Sequence, residues 1–460
     1  MLLKYFYDRA LAQASYMIGC QETGEALIID PARDITPYLQ AAQQENMRIV
    51  QVTETHIHAD FVSGIREIAA RTGARMYLSG MGDADWKYQF ADANTVLLRD
   101  GDTWMLGNIK LSAIHTPGHT PEHLIFSVTD TKMATLPLAL FTGDCLFVGD
   151  MGRPDLLEKA AGFANTAESG ARGQFRNMQM LKALPDYLQV LPGHGAGSAC
   201  GKALGAVPSS TLGYEKLFNP AFQFDDEAAF VAWLLADQPA PPRYFAQMKR
   251  VNKQGAPLIA TLPEPQRTER YLLNDILRSE ALVIDTRQQN MHVSCALHIQ
   301  PTDSFSTYVG WFVNYDQPVY LICAPEQVHD LVGKLRAIGV DNIAGYFLPD
   351  EIDAYSKPLR VVDVGEAADL IRKGALTLDV RTESEFHDER IAGALNIPYT
   401  DLPKHMAELP KNRALLIHCQ TGIRSQIAAS LLERHNFTHF AHLDGGIDAW
   451  KAAGYPVEQD

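Results

Sequence analysis

Four short polar stretches stand at the ends of apolar runs and carry residue types that hold metal ions. They are Thr55-His56-Ile57-His58-Ala59-Asp60, Thr116-Pro117-Gly118-His119, Thr142-Gly143-Asp144 and Leu191-Pro192-Gly193-His194. Imidazole nitrogens and carboxylate oxygens brought to one place suit a divalent metal centre; scattered, the same residues would be ordinary surface or core histidines. A different chemistry is encoded farther on. Leu415-Leu416-Ile417-His418-Cys419 is an apolar run ending in a thiol, followed by Gln420-Thr421-Gly422-Ile423-Arg424 and a helical pattern from Ser425. Loop N–H groups, a helix N-terminus and one guanidinium around a thiol suit a sulfur anion and make Cys419 a candidate nucleophile.

These groups need strands to position them. Residues 26–30, 49–53, 109–114, 138–141 and 187–191 read as strands, and four of the five are followed by a metal-ligand type of residue. In α/β sheets ligand sites gather beyond strand carboxyl ends, so the four loops are expected to share one edge. The segment 255–265, with three prolines, reads as a linker. Beyond it the chain repeats itself. Leu282–Arg287 matches Leu376–Arg381 at an offset of 94, and Pro318–Cys323 matches Ala414–Cys419 at an offset of 96, with a second linker around 350–357. The expected division is therefore 1–255, 266–352 and 360–460, consistent with a 460-residue chain at roughly 150 residues per domain.

Composition removes several alternatives. Against 55 acidic residues stand 40 basic ones, a net charge of −15, which disfavours nucleic acid or an anionic membrane as partner. The apolar run 136–141 contains a proline, and no apolar run comes near the roughly 20 residues of a membrane span. Charges at Lys4, Asp8 and Arg9 interrupt any leader-like stretch, and six dispersed cysteines without a Cys-x-x-Cys suit reduced thiols. A cytoplasmic location is expected.

The first set of motifs resembles the metallo-β-lactamase fold superfamily, over nearly all of the first domain. The resemblance implies an αββα sandwich with metal between its sheets. The superfamily's last loop histidine is replaced here by Phe61, which takes a ligand from a second metal. Two imidazoles and one carboxylate on one face of a metal typify mononuclear Fe(II) sites with open positions, and within the superfamily the pattern resembles the persulfide dioxygenases. That resemblance implies one Fe(II) per chain held by His56, His119 and Asp144, with His58, Asp60 and His194 orienting ligands or substrate. A zinc thioester hydrolase of the glyoxalase II kind is the alternative. Arg153, in Gly152-Arg153-Pro154-Asp155, is read either as a partner for a substrate carboxylate or as a surface salt bridge. Cys200, in a small-residue loop expected at the site rim, is read either as a packed thiol or as one that holds sulfur near the iron. Cys145 is expected to pack.

The second set resembles the rhodanese sulfurtransferases across about 360–457. Asp379-Val380-Arg381, Glu385-Phe386, 391–398 and Leu443-Asp444-Gly445-Gly446 before Trp450 stand where that family has its motifs, with Arg390 a departure at a position often occupied by His. It implies that Cys419 carries sulfane sulfur and that Arg424, with the loop Gln420, Thr421, Gly422 and Ile423, stabilises its charge. Four residues between Cys419 and Arg424 make a shorter cradle than the five of protein tyrosine phosphatases. In the middle repeat Cys323 is followed by Ala324-Pro325-Glu326, without the glycine or arginine, so a degenerate rhodanese-like domain with an unreactive thiol is expected. The whole is an α/β protein, an αββα sandwich followed by two rhodanese-like α/β domains, and it resembles bacterial persulfide dioxygenase–sulfurtransferase fusions of sulfide detoxification. The expected partners are a low-molecular-weight thiol persulfide, O2, and sulfite or thiosulfate, in a homo-oligomer. A rhodanese-like half that only docks or senses persulfides is the remaining alternative.

Overall fold

The computed structural model describes residues 1–159, 166–202, 204–238, 240–287 and 291–459. The chain divides into two compact units, Met1–Leu262 with Leu335–Gly339, and Pro263–Lys334 with Val340–Asp460.

Two six-stranded sheets build the first unit. In one, the strands run in sequence order, Leu2–Asp8, Gln13–Cys20, Glu25–Ile29, Arg48–Thr53, Arg75–Ser79 and Val96–Leu98. The other runs from Ser210–Thr211 through Gln189–Pro192, Ala139–Gly143, Leu124–Asp130 and Ile109–His115 to Thr103–Leu106. Side-chain alternation decides the layering, because strand neighbours point to opposite faces. Tyr16, Ile18, Leu27 and Ile29 meet Leu111, Leu124, Phe126 and Phe141 in the core between the sheets. Their neighbours Met17, Ala26 and Ile28 face outward onto helices Thr36–Gln44 and Ile65–Thr72. On the other side Ile125, Leu140 and Val190 face helices Thr166–Lys182 and Glu227–Leu235. The result is an αββα sandwich.

All five anticipated strands form, with ends shifted by one or two residues. Glu25–Ile29 and Arg48–Thr53 pair in parallel, as do Ala139–Gly143 and Gln189–Pro192. Parallel pairing puts successive carboxyl ends, and therefore the His/Asp loops, on one edge.

The second unit holds two five-stranded sheets of the same topology. In the first the order is Gln266–Arg267, Ile343–Phe347, Val319–Ile322, Leu282–Asp285, Leu297–His298; in the second it is Val361–Val362, Phe440–Leu443, Leu415–His418, Leu376–Asp379, Leu395–Asn396. The strands matched by the sequence repeat occupy equivalent places. The shared Asp-x-Arg motif closes a salt bridge in each copy, Asp285 to Arg287 and Asp379 to Arg381, both at 2.7 Å. The stretch anticipated as the second linker is structured. It contains the helix Pro349–Ile352 and the strand Ser356–Pro358, which pairs with Met291–Val293. Among the described residues, no helix is long and apolar enough to cross a membrane.

Candidate metal centre and reactive cysteine

Each metal-ligand candidate is placed by the end of a strand. Arg48–Thr53 delivers His56, Ile109–His115 leads to His119, Ala139–Gly143 ends at Asp144, and Gln189–Pro192 ends two residues before His194. Gly143 turns the chain there with φ 47°, and a Cβ on it would lie 2.6 Å from the Thr55 hydroxyl oxygen and 2.8 Å from His123 Nε2. Only glycine fits that approach.

Donor atoms of His56, His119 and Asp144 all lie within 4.8 Å of one another, in a fully buried group. A second such group is Asp60, His194 and Cys200. The ring nitrogens are oriented from behind. His119 Nδ1 donates to the Arg153 carbonyl at 2.9 Å and His194 Nδ1 to the Ala12 carbonyl at 3.0 Å. His56 Nδ1 pairs with the Thr55 hydroxyl at 3.0 Å, whose other contacts are with the Asp30 carboxylate at 3.0 and 3.2 Å. In all three rings this leaves Nε2 with its lone pair facing inward, the arrangement that metal-binding histidines adopt. The buried Nε2 atoms of His56 and His194, Oδ2 of Asp60 and both oxygens of Asp144 have no hydrogen-bond partner among the described residues. Buried polar atoms without partners are costly, and a cation removes the cost. The donor set therefore fits a metal. Burial first, then the neighbouring imidazoles, holds His56 well below its ordinary pKa, which keeps the ring neutral.

His58 lies outside the first donor group: its Nε2 meets Asp30 Oδ1 at 3.1 Å and its ring packs on Phe61, centroids 4.3 Å apart. Burial opposes charge on this ring, but Asp30, Glu54 and Asp60 outweigh burial and lift its pKa to about 9. Asp60 and His194 are not merely around the first group; with Cys200 they form the second. Cys200 is not at a rim but buried, 2% exposed, and burial together with the charges of Asp60 and Asp144 pushes its thiol well above the ordinary range. Arg153 is not at the surface either. It is fully buried and bidentate to Asp155 at 2.7 and 2.6 Å, while its carbonyl fixes His119. Cys145 packs in the core beneath the second sheet, with burial raising its pKa to about 12.

Sequence reading missed Asp30, His123 and Glu122. Asp30 ends a strand as the other site residues do, which was the available signal. His123 stacks on His56 at 5.0 Å and its Nε2 accepts the Asp144 N–H at 3.1 Å, a role no local pattern announces. Removing the relay behind His56 gives one prediction. Thr55→Val is expected to lower metal affinity about 10- to 100-fold with the fold retained, read by metal titration of the metal-free protein.

Glu122 supports the loop from below by accepting the Ile57 N–H at 2.7 Å, and burial raises its carboxyl from 4.5 to about 7. The native state thus keeps a proton that the unfolded chain has lost. Stability from this group is complete below pH 4.5 and is lost as pH rises through about 7, by roughly 3 kcal/mol. Urea midpoints of the metal-free protein are expected to fall over that range by more in wild type than in Glu122→Gln.

In the second unit, Cys419 follows strand Leu415–His418 and precedes helix Ile423–Arg434. It is buried, with its sulfur receiving the Gly422 N–H at 3.1 Å and the Ser425 hydroxyl at 3.4 Å. Gly422 has φ 120°, which lets its N–H turn inward. Arg424 is bidentate to Glu385 at 2.7 Å on both arms. Burial opposes the Glu385 charge, but Arg424 and Thr382 together bring its pKa down to about 2. Gln420 is held by Arg381 Nη1 at 3.1 Å, so the repeated Asp-x-Arg pair also props the loop. Ser425 was absent from the expected site, being read only as the start of a helix. The middle repeat's Cys323 has its pKa raised to about 12, first by burial and then by Glu326.

Fold and site together define an αββα metalloprotein joined to rhodanese-like α/β modules. The metallo-beta-lactamase superfamily model matches residues 8–194 and the rhodanese-like domain model matches 363–453. A solved metallo-beta-lactamase from Staphylococcus aureus is 46% identical, with a TM-score of 0.70, covering 76% of this chain and 99% of that one. The chain belongs to the metallo-beta-lactamase superfamily and carries a rhodanese-like domain. Among curated proteins, a hydroxyacylglutathione hydrolase of Nitrosococcus oceani is 34% identical over 42% of this chain and 66% of its own length. The human mitochondrial persulfide dioxygenase ETHE1 is 29% identical over 35% of this chain and 59% of its own. The chain thus spans no more than two thirds of either curated relative.

Proposed function

We propose that the first unit is an iron-dependent persulfide dioxygenase and that the C-terminal domain transfers the sulfur it handles. The observation that carries this reading is the composition of the first donor group, two imidazoles and one carboxylate, with His58 outside it. Three ligands on one face leave positions for both O2 and substrate. Fe(II) held there would supply the electrons and the binding site that activate O2. The overall change is R-S-SH + O2 + H2O → R-SH + SO3²⁻ + 2H⁺.

The chain's own residues prepare that chemistry. His119 and Arg153 lock one imidazole, and Asp30, Thr55 and His56 lock the other, so that neither ring turns away as substrate enters. Sulfite then takes sulfane sulfur from a Cys419 persulfide: SO3²⁻ + Cys-S-S⁻ → S2O3²⁻ + Cys-S⁻. The Gly422 N–H and Ser425 hydroxyl face the Cys419 sulfur, which takes up the negative charge as the outer sulfur leaves, and Arg424, anchored by Glu385, brings a positive charge to interact with it. The human persulfide dioxygenase among the relatives supports this reading. The partners are accordingly a small thiol persulfide, O2, and sulfite or thiosulfate.

A zinc thioester hydrolase is the second reading. The second donor group and the hydroxyacylglutathione hydrolase relative favour it. The experiment that separates them loads the metal-free protein anaerobically with Fe(II), adds glutathione persulfide and air, and follows O2 uptake with sulfite and thiosulfate. O2 uptake with sulfur oxyanions supports the dioxygenase. No uptake, with thioester cleavage by the zinc-loaded protein, replaces it with the hydrolase.

A further inference from the structure

The middle repeat, whose Cys323 thiol holds its proton, is fastened to the helix that follows the Cys419 loop. That helix, Ile423–Arg434, packs on strand Leu297–His298 of the middle repeat. Gln426 Oε1 accepts from Gln300 Nε2 at 2.6 Å, Ser430 Oγ accepts the His298 N–H at 3.1 Å, and Glu433 Oε2 meets His292 Nε2 at 2.7 Å. Residues three and four apart share a helix face, so the three bonds form one row that fixes the middle repeat against the reactive loop. The attachment brings an aromatic group with it. Tyr308, on the middle repeat's helix Phe305–Gly310, sets its ring at 86° to Tyr399, centroids 5.9 Å apart, and Phe312 backs Tyr399 at 6.0 Å. Tyr399 belongs to the C-terminal copy. Its N–H donates to the Val380 carbonyl at 3.1 Å, and the Val380 N–H donates to the carbonyl of His418, the residue before Cys419, at 3.0 Å.

Both phenols lie within electrostatic reach of Cys419, Arg424 and Glu385. Burial, first of all, raises the Tyr308 pKa against the pull of Arg424, and burial followed by Tyr308 raises that of Tyr399, so both hydroxyls keep their protons and can donate. A sulfur oxyanion needs such donors here. The Arg424 charge is already met by Glu385 on both arms, and a persulfide on Cys419 would carry negative charge of its own. Phenol O–H groups receive an anion's oxygens without adding charge, and hydrogen bonds to an ionised acceptor are the strong ones. We propose that Tyr308, supplied by the middle repeat, and Tyr399 form the acceptor-binding side of the Cys419 pocket and donate to the oxygens of sulfite, selecting it over acceptors without oxygen. The middle repeat would then serve sulfur transfer through its phenol and not through its cysteine. This rests on reading Cys419 as the nucleophile of sulfur transfer to sulfite.

The test supplies full-length protein anaerobically with glutathione persulfide and compares two acceptors, sulfite, read as thiosulfate, and cyanide, read as thiocyanate, after subtracting the Cys419→Ser blank. Cyanide takes the same sulfur, CN⁻ + Cys-S-S⁻ → SCN⁻ + Cys-S⁻, but presents no oxygen to a phenol. Tyr308→Phe keeps the ring against Tyr399 and removes only the hydroxyl. It is expected to raise the KM for sulfite about 10-fold with kcat changed less than about 3-fold, and to lower the sulfite-to-cyanide ratio of kcat/KM about 10-fold. Tyr399→Phe is expected to act in the same direction. Calorimetric titration of Cys419→Ser protein with thiosulfate gives an independent readout, binding being about 10-fold weaker when Tyr308→Phe is added. A sulfite KM that neither variant moves, or an equal loss with both acceptors, overturns the proposal while leaving Cys419 as the nucleophile. Wild-type protein that transfers sulfur to neither acceptor overturns the sulfurtransferase reading and the proposal with it.

Discussion

Asp144→Asn is expected to empty the first metal group and to cut persulfide-dependent O2 uptake by on the order of 1,000-fold or more. Even residues that only support metal ligands cost about 10- to 100-fold when changed, and Asp144 does more. It contributes the only carboxylate of the His56, His119 and Asp144 group, and its two oxygens, without hydrogen-bond partners among the described residues, face His119 and His194. Asparagine removes the charge and presents an N–H₂ to one of two imidazole nitrogens that are themselves oriented to accept a metal. The backbone is indifferent to this change, because the Asp144 N–H still donates to His123 Nε2. Metal analysis and an oxygen electrode check the result, with sulfur transfer at Cys419 serving as the folding control. Retention of both iron and rate in the variant would remove Asp144 from the centre.

Cys419→Ser is expected to reduce sulfur transfer to sulfite by at least about 1,000-fold while O2 uptake continues, so that the product changes from thiosulfate to sulfite. Losing a catalytic nucleophile is among the most damaging single changes an enzyme can suffer. A hydroxyl at this position cannot carry sulfane sulfur, although the Gly422 N–H and Ser425 hydroxyl remain to receive it. Product ratios by chromatography decide the matter, and thiosulfate undiminished in the variant would reduce the rhodanese-like half to a docking or sensing module. Cys323→Ser provides the contrast. With a pKa of about 12, its thiol holds its proton at neutral pH, and no change in either product is expected.

Much of this architecture was legible in the chain. The short β-branched and apolar runs at 26–30, 49–53, 109–114, 138–141 and 187–191 marked five of the strands. Gln13–Cys20 and Leu124–Asp130, buried nearly throughout on both faces, and the sorting of side chains between the layers emerge only in the fold. The two Asp-x-Arg motifs and the two strand-end cysteines revealed the duplication because each copy meets the same constraint, a buried ion pair at a sheet end. Where the reading fell short, the cause was distance along the chain. Arg153 looked like a surface or substrate-binding residue because its partners Asp155 and the Ala199 carbonyl enclose it only after folding. The stretch 350–357 looked like a linker because its three-residue strand is defined by its partner, Met291–Val293, and not by its own residues.

The sequence by itself determined which residue types stand at strand ends: the histidines, Asp144, and Cys419 three residues before Gly422. Those choices are local, since strand termini and tight turns are written in neighbouring residues. Only the tertiary structure decided how the ligands divide. It put His58 against Asp30 and brought Cys200 from 140 residues beyond Asp60 into the same pocket. It also committed Arg424 to Glu385, leaving an N–H and a hydroxyl to touch the sulfur. Such pairings depend on distances of a few ångströms between segments far apart in the chain, and these are fixed by how the sheets pack.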